Sequence, residues 1–428
     1  MKAVFVLILL LLALGNATTE AKTFKVATYN VENLFDLVRD GTEYTEYLPN
    51  NRYGWTRKTF DIKVSNIAQV INDIRPDVVM LQEIESKSAL ISLRDRLRGL
   101  GSNFPYLEIA DTRPTPVKCA VLSKFPIVKK KEIAVDNEFA RNILKVTLDI
   151  SGNYLILFVN HWKSKQGPES LRIAYAKMLK QEIDKLGDDA DFVLGGDFNS
   201  NYNEYKTFRN SGRLNDTGGI TGINNILMTI KDSKLVDEEI LTEQTTNEYL
   251  YNLWLEIKRS RRWSNNFFGD KGSLDNIIVS KGLYDDKGIS YIDNSFNKFD
   301  PDYLFKGKAL YRWQRTKRGK GRHLGQGYSD HLAIYAYFST ESFCPGKNNT
   351  GLNDTSSLKP TKAKSPQALL GLNTASREEL MSISGIGPVL SARIVAGRPY
   401  KKVGDILKVK GIGPKKLKTL RPYFIIKK

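Results

Sequence analysis

Cysteine and histidine are scarce: this 428-residue chain has two of the first and three of the second. Cys119 and Cys344 match no metal-ligand spacing, so a cysteine-built zinc module is excluded. Cys119 lies in the apolar stretch 117–122 and reads as a buried thiol rather than half of a disulfide. Long apolar runs are missing after the first residues, and no later segment reads as transmembrane. The early run, 3–14, follows Lys2 and gives way to small residues through Ala21. It is too short for a stable bilayer span and fits the apolar core of a signal peptide. Cleavage after Ala17 or Ala21, with no cysteine nearby for a lipid anchor, predicts an exported protein, secreted or periplasmic. Acidic residues are in deficit, 47 against 65 Lys plus Arg, which leaves a formal charge of +18. Such an excess suggests an anionic partner, nucleic acid or a membrane surface. The length predicts two or more units.

What the chain does contain is organised around residues 191–200, DFVLGGDFNS. Phe192, Val193 and Leu194 read as a buried strand. Gly195 and Gly196 would let the backbone turn with nothing in the way of a ligand. Asp197 and Asn199, two apart on an extended segment, project to one side and suit a site that positions a water. A strand followed by an Asx-type turn is the plainer alternative, since Gly, Asp, Asn and Ser are all turn residues.

Similar strand ends recur along the chain. Residues 23–31 alternate well enough for a strand that delivers Asn30, with Glu32 and Asn33 behind it. A helix over 58–74, stopped by Pro76, leads to the apolar run 77–83, which ends in Glu83. Helices over 88–100 and 169–186 are expected, with strands over 117–122, 142–150 and 154–159. The last of these runs into His161. A strand over 271–279 carries Asp275, and the entry to a final strand carries Asp330 and His331. This alternation predicts an α/β domain. The stretch 201–266 resists parsing. A basic run follows at 306–322 with Tyr311 and Trp313 interleaved. It is either a substrate-facing loop, whose aromatics slightly favour nucleic-acid contact, or a solvated insertion. Residues 341–366 read as a flexible linker.

Asn30, Glu83, His161, Asp197, Asn199, Asp275, Asp330 and His331 thus sit at or beside strand ends. Mostly carboxylates and amides, they suit a hard, oxygen-ligated cation such as Mg²⁺ rather than zinc. Phosphodiester cleavage needs charge neutralisation at phosphorus, an activated water and help for the leaving oxygen, and each has a candidate here. The ordered set TYNVEN (28–33), LQE (81–83), NHWK (160–163), GGDFN (195–199), LDN (274–276) and SDH (329–331) resembles the endonuclease/exonuclease/phosphatase superfamily over about residues 22–338.

The resemblance implies a four-layer α/β/β/α sandwich, two packed mixed sheets with outer helices, and a site at one sheet edge. It implies that Glu83 binds a divalent metal, helped by Asn30 and Asp330, with Mg²⁺ first and Mn²⁺ or Ca²⁺ as alternatives. Asp197 would orient or deprotonate the attacking water, and Asn199 would fix its position. His331, paired with Asp275, would stabilise the added charge on the phosphate. His161 would donate to a phosphate oxygen or the leaving group. Arg141 matches a phosphate-contacting arginine loosely, and a surface strand residue is as good a description.

The tail contains an internal repeat. LMSISGIGP (380–388) is echoed by ILKVKGIGP (406–414). Each copy places an apolar helix, a Gly-Ile-Gly turn and a new helix opened by Pro. The tail resembles tandem helix-hairpin-helix modules, which implies a small all-α domain. Backbone N–H groups at Gly385, Gly387, Gly411 and Gly413 would cradle a phosphate. Lys410, Lys415, Lys416 and Lys418 would add screened, sequence-independent attraction. A helical hairpin whose glycines merely permit tight turns is the alternative.

The expected organisation is a signal peptide (1–21), a catalytic domain (22–340), a linker (341–366) and a helix-hairpin-helix domain (367–428). The leading expectation is an exported, metal-dependent nuclease acting on DNA, with RNA as a second substrate, and with little sequence specificity. Charge and tail choose nucleic acid; the first domain alone does not. One competing reading is an exported DNA-binding or uptake receptor with an incidental nuclease fold. Another is a phospholipid phosphodiesterase, for which Phe267 and Phe268 are the nearest membrane-docking element, although adjacent aromatics are more often core.

Overall fold

A computed structural model describes residues 22–428, apart from 138–139, 209–210, 268, 346–369, 382, 384–385, 387, 414–415, 418–419 and 427–428. The expected signal segment, most of the expected linker, and Gly385, Gly387, Lys415 and Lys418 lie outside the described residues. The chain divides near residue 356 into two compact units.

In the larger unit the central strands are buried on both faces, which is why the runs 77–83 and 192–194 are so apolar. In β1 (Thr23–Leu34), Phe24 and Val26 join one apolar layer while Ala27, Tyr29 and Val31 join another. In β2 (Val78–Ile84), Val78 and Met80 divide from Val79 and Leu81 in the same way. Helix α1 (Arg57–Ile74) covers the outer layer. It starts where the Thr56 N–H and hydroxyl trade hydrogen bonds with Thr59, and it stops at a left-handed Arg75 just before Pro76. Its Phe60, Val64, Ile67, Ile71 and Ile74 recur at helical spacing and are all buried. Helix α2 (Lys87–Gly99) packs beside it through Leu90, Leu93 and Leu97.

Strands β3 (Tyr106–Ile109) and β4 (Lys118–Ser123) extend this sheet beyond β2. The chain then builds a second sheet from β5 (Ile127–Ile133), β6 (Ile143–Ile150), β7 (Asn153–His161), β8 (Phe192–Asp197), β9 (Tyr251–Asn252) and β10 (Asp275–Val279), with α3 (Glu169–Ile183) between β7 and β8. Their spatial order is β9-β10-β8-β7-β6-β5. It finally returns through β11 (Ser290–Tyr291), β12 (Asn297–Lys298) and β13 (Ile334–Ser339). These complete the first sheet as β11-β13-β1-β2-β4-β3, with β12 also paired to β13.

The inner faces share one core, in which Met80 and Val121 join Val159 and Val193. Tyr175, Ala176, Leu179 and Ile183 of α3 cover the outer face of the second sheet. The architecture is the α/β/β/α sandwich implied by the motifs. Strand β5 escaped the sequence reading because its centre, Lys129, Lys130 and Lys131, is an exposed basic run on an edge strand.

One local expectation is corrected. Gly195 and Gly196 do not form a turn open to ligand; both lie inside β8 and are buried. A Cβ at Gly195 would stand 2.1 Å from the Met80 methyl group of the facing sheet. At Gly196, where φ is +132°, it would stand 2.1 Å from the Asn160 carbonyl oxygen of β7. Glycine is required here because two backbones and two sheets approach closely.

The smaller unit has helices α4 (Arg377–Met381) and α5 (Pro388–Ala396), a 3₁₀ turn at Val403–Lys408, and a core including Leu380, Ile386, Ile394, Ile406, Ile412 and Leu420. Helix α5 opens on Pro388 as the repeat predicts. A two-residue parallel pairing of Leu370–Gly371 with Phe424–Ile425 ties its ends together. Among the described residues no helix is long and apolar enough to cross a membrane.

Candidate active site

Strand polarity brings the site together. Pairs β1–β2 and β7–β8 are parallel, so their final residues share an end. Asn30 lies opposite Gln82, the neighbour of Glu83, and His161 lies opposite Asp197. Antiparallel β10 begins at Asp275, opposite Asp197. Antiparallel β13 brings the preceding Asp330 and His331 to the same edge. The sequence-predicted set Asn30, Glu83, His161, Asp197, Asn199, Asp275, Asp330 and His331 therefore converges from both sheets.

Glu83 sits at a register break between β2 and β4, with φ of 67°, a left-handed conformation uncommon for glutamate. Asn199 is left-handed too, at φ 48°, which asparagine tolerates. The Asn30 amide nitrogen donates to Glu83 Oε1 at 3.2 Å and to Asp197 Oδ2 at 3.1 Å. Its oxygen accepts the Glu32 N–H at 3.0 Å. A backbone N–H only donates, so the Glu32 N–H on the Asn30 oxygen fixes the amide's orientation. Asp197 Oδ1 takes the Asn199 N–H at 2.8 Å, and the Asn199 side chain also donates to the Trp162 carbonyl at 3.0 Å.

The two site histidines are shifted in opposite directions. His331 Nδ1 bonds Asp275 Oδ2 at 2.7 Å, and the Ser264 hydroxyl donates to the same oxygen at 2.6 Å. Burial disfavours the His331 imidazolium, but Asp275, Asp197 and Asp330 outweigh it and hold His331 well above the usual imidazole range. His161 is held well below that range by burial, then by the charges of Arg141 and His331. Its Nε2 stands 3.6 Å from Glu83 Oε1 and 3.7 Å from Asp197 Oδ2. Burial, with Asp275 and Glu83, pushes Asp197 up to about 7 against the pull of His331. Glu83 is raised as well, by burial and then by Asp330.

Crowded carboxylates of this kind suit a hard cation. Among the described residues, Asp197, Asp275 and His331 lie close enough together for a shared ligand. In that trio His331 Nδ1 is already bonded to Asp275 Oδ2. Glu83 and Asp330 fit a cation better. Their side chains are 20% and 22% exposed, whereas those of Asp197 and Asp275 are 3% and 0% exposed.

Arg141 is half-buried beside the site, its guanidinium 3.4 Å from the carbonyls of His161 and of Trp162. In the smaller unit, Gly411 has a left-handed φ of +106°, and Lys410 and Gly413 are exposed while Lys416 is half-buried.

Several contributors were not singled out from sequence. Glu32 was visible inside TYNVEN; it is buried, left-handed at φ 53°, and paired with Arg312. Arg312 also reaches Asp330 Oδ2 at 3.1 Å. Burial and then Asp330, against Arg312 and Lys63, push Glu32 up to about 7. Ser329 was within the SDH motif; its hydroxyl bonds the Asn30 carbonyl at 2.7 Å and accepts the His331 N–H at 3.1 Å. Ser264 carried no signal in the sequence. The basic run 306–322 is also not uniformly solvated. Trp313 is 3% exposed, with its indole N–H bonded to His323 at 2.9 Å, so it is core and not a base-stacking surface. Arg315 pairs with Glu46 at 3.0 Å. Phe267 departs from expectation in the other direction and is 59% exposed. Cys119 is a buried free thiol, as predicted.

Two sheets packed face to face, with carboxylates and imidazoles gathered on their common edge, define a phosphodiesterase fold. The chain belongs to the endonuclease/exonuclease/phosphatase family, whose profile matches residues 25–236 and 230–340. A helix-hairpin-helix motif matches 366–425. The tail is similar to ComE operon protein 1 of Bacillus subtilis (strain 168), 39% identical over 64 residues, which is 14% of this chain and 31% of that protein. The chain thus spans about a third of that relative.

Among solved structures, ANGEL2, a 2′,3′-cyclic phosphatase, aligns at 17% identity over 76% of this chain and 97% of its own, with a TM-score of 0.45. A humanized D. rerio TDP2 aligns at 15% identity over 74% and 98%, with a TM-score of 0.44. A family protein from Leptotrichia buccalis C-1013-b aligns at 14% over 73% and 98%, with a TM-score of 0.43.

Proposed function

We propose that the protein is an exported, divalent-metal-dependent nuclease that hydrolyses phosphodiester bonds of DNA with little sequence specificity, RNA being the second candidate substrate. The observation that carries this reading is the convergence of Asn30, Glu83, His161, Asp197 and His331 on one edge shared by two sheets. Export rests on the N-terminal sequence, and nucleic acid as substrate on the tail motif and the charge of +18.

Glu83 and Asp330 would hold Mg²⁺, with Mn²⁺ or Ca²⁺ as substitutes. The ion would supply charge neutralisation at the phosphate. Asn30 donates to both Glu83 and Asp197 and keeps them adjacent, and its oxygen, which accepts the Glu32 N–H, would assist at the metal. Asp197, held by Asn199 and Asn30, orients the attacking water and accepts its proton. The His331 imidazolium, locked by Asp275, faces the charge that builds on the phosphate oxygens. Neutral His161 donates from Nε2 to a phosphate oxygen or the leaving group. Arg141 lies where it can add positive charge to the same end of the site. In the tail, the turn at Gly411 and Gly413, with Lys410 and Lys416, would hold a phosphate of the same nucleic acid.

The test is cleavage of supercoiled plasmid by the mature protein with Mg²⁺ and with EDTA. Metal-dependent nicking that proceeds to fragments, lost in folded Asp197→Ala and His331→Ala, is the expected result. A salt-sensitive mobility shift without cleavage would replace this reading with a DNA receptor. Neither cleavage nor shift would point to phospholipid substrates.

A further inference from the structure

A cleft of about 520 Å³ opens directly beside Asp330, and no role assigned so far uses it. One wall is a β-hairpin, Asn265–Phe267 paired with Asp270–Gly272. The other comes from the basic run, with Lys308 and Arg312. The hairpin is built into the candidate active site. Asn265 forms a β-bridge with His331, its amide donates to the Asp330 carbonyl at 3.0 Å, and the Ser264 carbonyl accepts the Leu332 N–H at 2.7 Å.

Lys271 and Lys308 line the cleft and are exposed, and neither forms an ion pair with a carboxylate among the described residues. Lys271 Nζ is held over the Trp263 ring at 4.4 Å, which positions the cation without neutralising it. Arg312 is different, since its charge is shared with Glu32 and Asp330. Phe267 stands on the same hairpin, 59% exposed. Uncompensated cations in a concavity, with an exposed aromatic near the tip of the hairpin that bounds it, match a chain of phosphates carrying unstacked bases.

We propose that this cleft is a substrate track in which Lys271 and Lys308 hold backbone phosphates of a nucleic-acid strand while Phe267 stacks on an unpaired base, next to the scissile bond. It rests on the nuclease reading and adds to it a preference for single-stranded or frayed substrate. A membrane surface suits the feature less well, because the cations face into a concavity.

The experiment compares full-length wild type, Lys271→Gln/Lys308→Gln and Phe267→Ala on a 30-mer DNA, single-stranded and as a duplex, across a range of salt. The double lysine variant should raise KM at least fivefold and lower the slope of log KM against log salt by about two, one per phosphate contact. Phe267→Ala should raise KM at least fivefold on the single strand and less on the duplex. Wild type that cleaves DNA while both variants match it in KM and salt slope overturns the track and leaves the nuclease reading intact. So does an effect on kcat alone, or a Phe267→Ala defect seen only as release from phosphatidylcholine/phosphatidylserine vesicles. Wild type that cleaves no nucleic acid sinks the nuclease reading, and the track with it.

Discussion

Asn30 and Asp197 belong to different sheets, yet the Asn30 amide donates to an Asp197 carboxylate oxygen at 3.1 Å while also holding Glu83. One side chain thus fixes the spacing of the two carboxylates with the most distinct proposed tasks. Asn30→Ala should lower kcat by about 10–100-fold, the range for removing an orienting partner, and change the melting temperature little. Asn30→Asp should be the more damaging variant near neutral pH, because it adds a third carboxylate to a crowded pair. Initial rates for the two variants decide this, and equal losses would mean that the amide has no bridging role.

The His331–Asp275 pair predicts a pH profile. Asp275 is the largest influence that keeps His331 charged against the cost of burial. With a raised pKa, the imidazolium persists through neutrality and is lost only as pH rises through that higher value. Asp275→Asn should move the alkaline limb of the pH–rate profile to lower pH. The loss should be small near pH 6 and on the order of 100-fold at pH 8, within the range for proton-transfer groups. An unmoved alkaline limb would detach His331 charge from catalysis.

Adjacent glycines should respond differently to the same substitution. At Gly195 the obstacle is the flexible end of Met80, so Gly195→Ala should cost about 1–3 kcal/mol, as overpacking does. At Gly196 the obstacle is the Asn160 backbone and φ is left-handed, so Gly196→Ala should cost more and reduce soluble yield. Urea denaturation of both variants measures the difference.

Removing residues 367–428 should weaken DNA binding about tenfold at moderate salt and flatten its salt dependence, because fewer phosphates are neutralised. Binding isotherms at several salt concentrations check it. Unchanged isotherms would assign the helix-hairpin-helix unit to another partner.

The residues most legible from sequence were those that end strands. Asp197 and His331 stand beside short apolar runs within recognisable tripeptides, and chain direction alone placed them at an edge. What the sequence concealed was pairing at long range. Arg312 and Glu32 are 280 positions apart, and neither signals the other. Trp313 in the basic run was misread for a related reason, since its burial depends on His323 and the helix behind it rather than on neighbours in the chain. Gly195 and Gly196 were recognised as necessary for the wrong cause. A turn and a close sheet contact both demand glycine, and only the position of Met80 on the opposite sheet separates them.

The pairing of the first strand with the last, Thr23 against Ser339, has a bearing on biosynthesis. Asn30 emerges early from the ribosome and His331 some 300 residues later, while the whole second sheet is laid down in between. A nascent or prematurely terminated chain that stops before residue 330 has Glu83 and Asp197 but no imidazolium and no closing strand. On the nuclease reading, this order of assembly would leave the site incomplete until translation of the fold is finished.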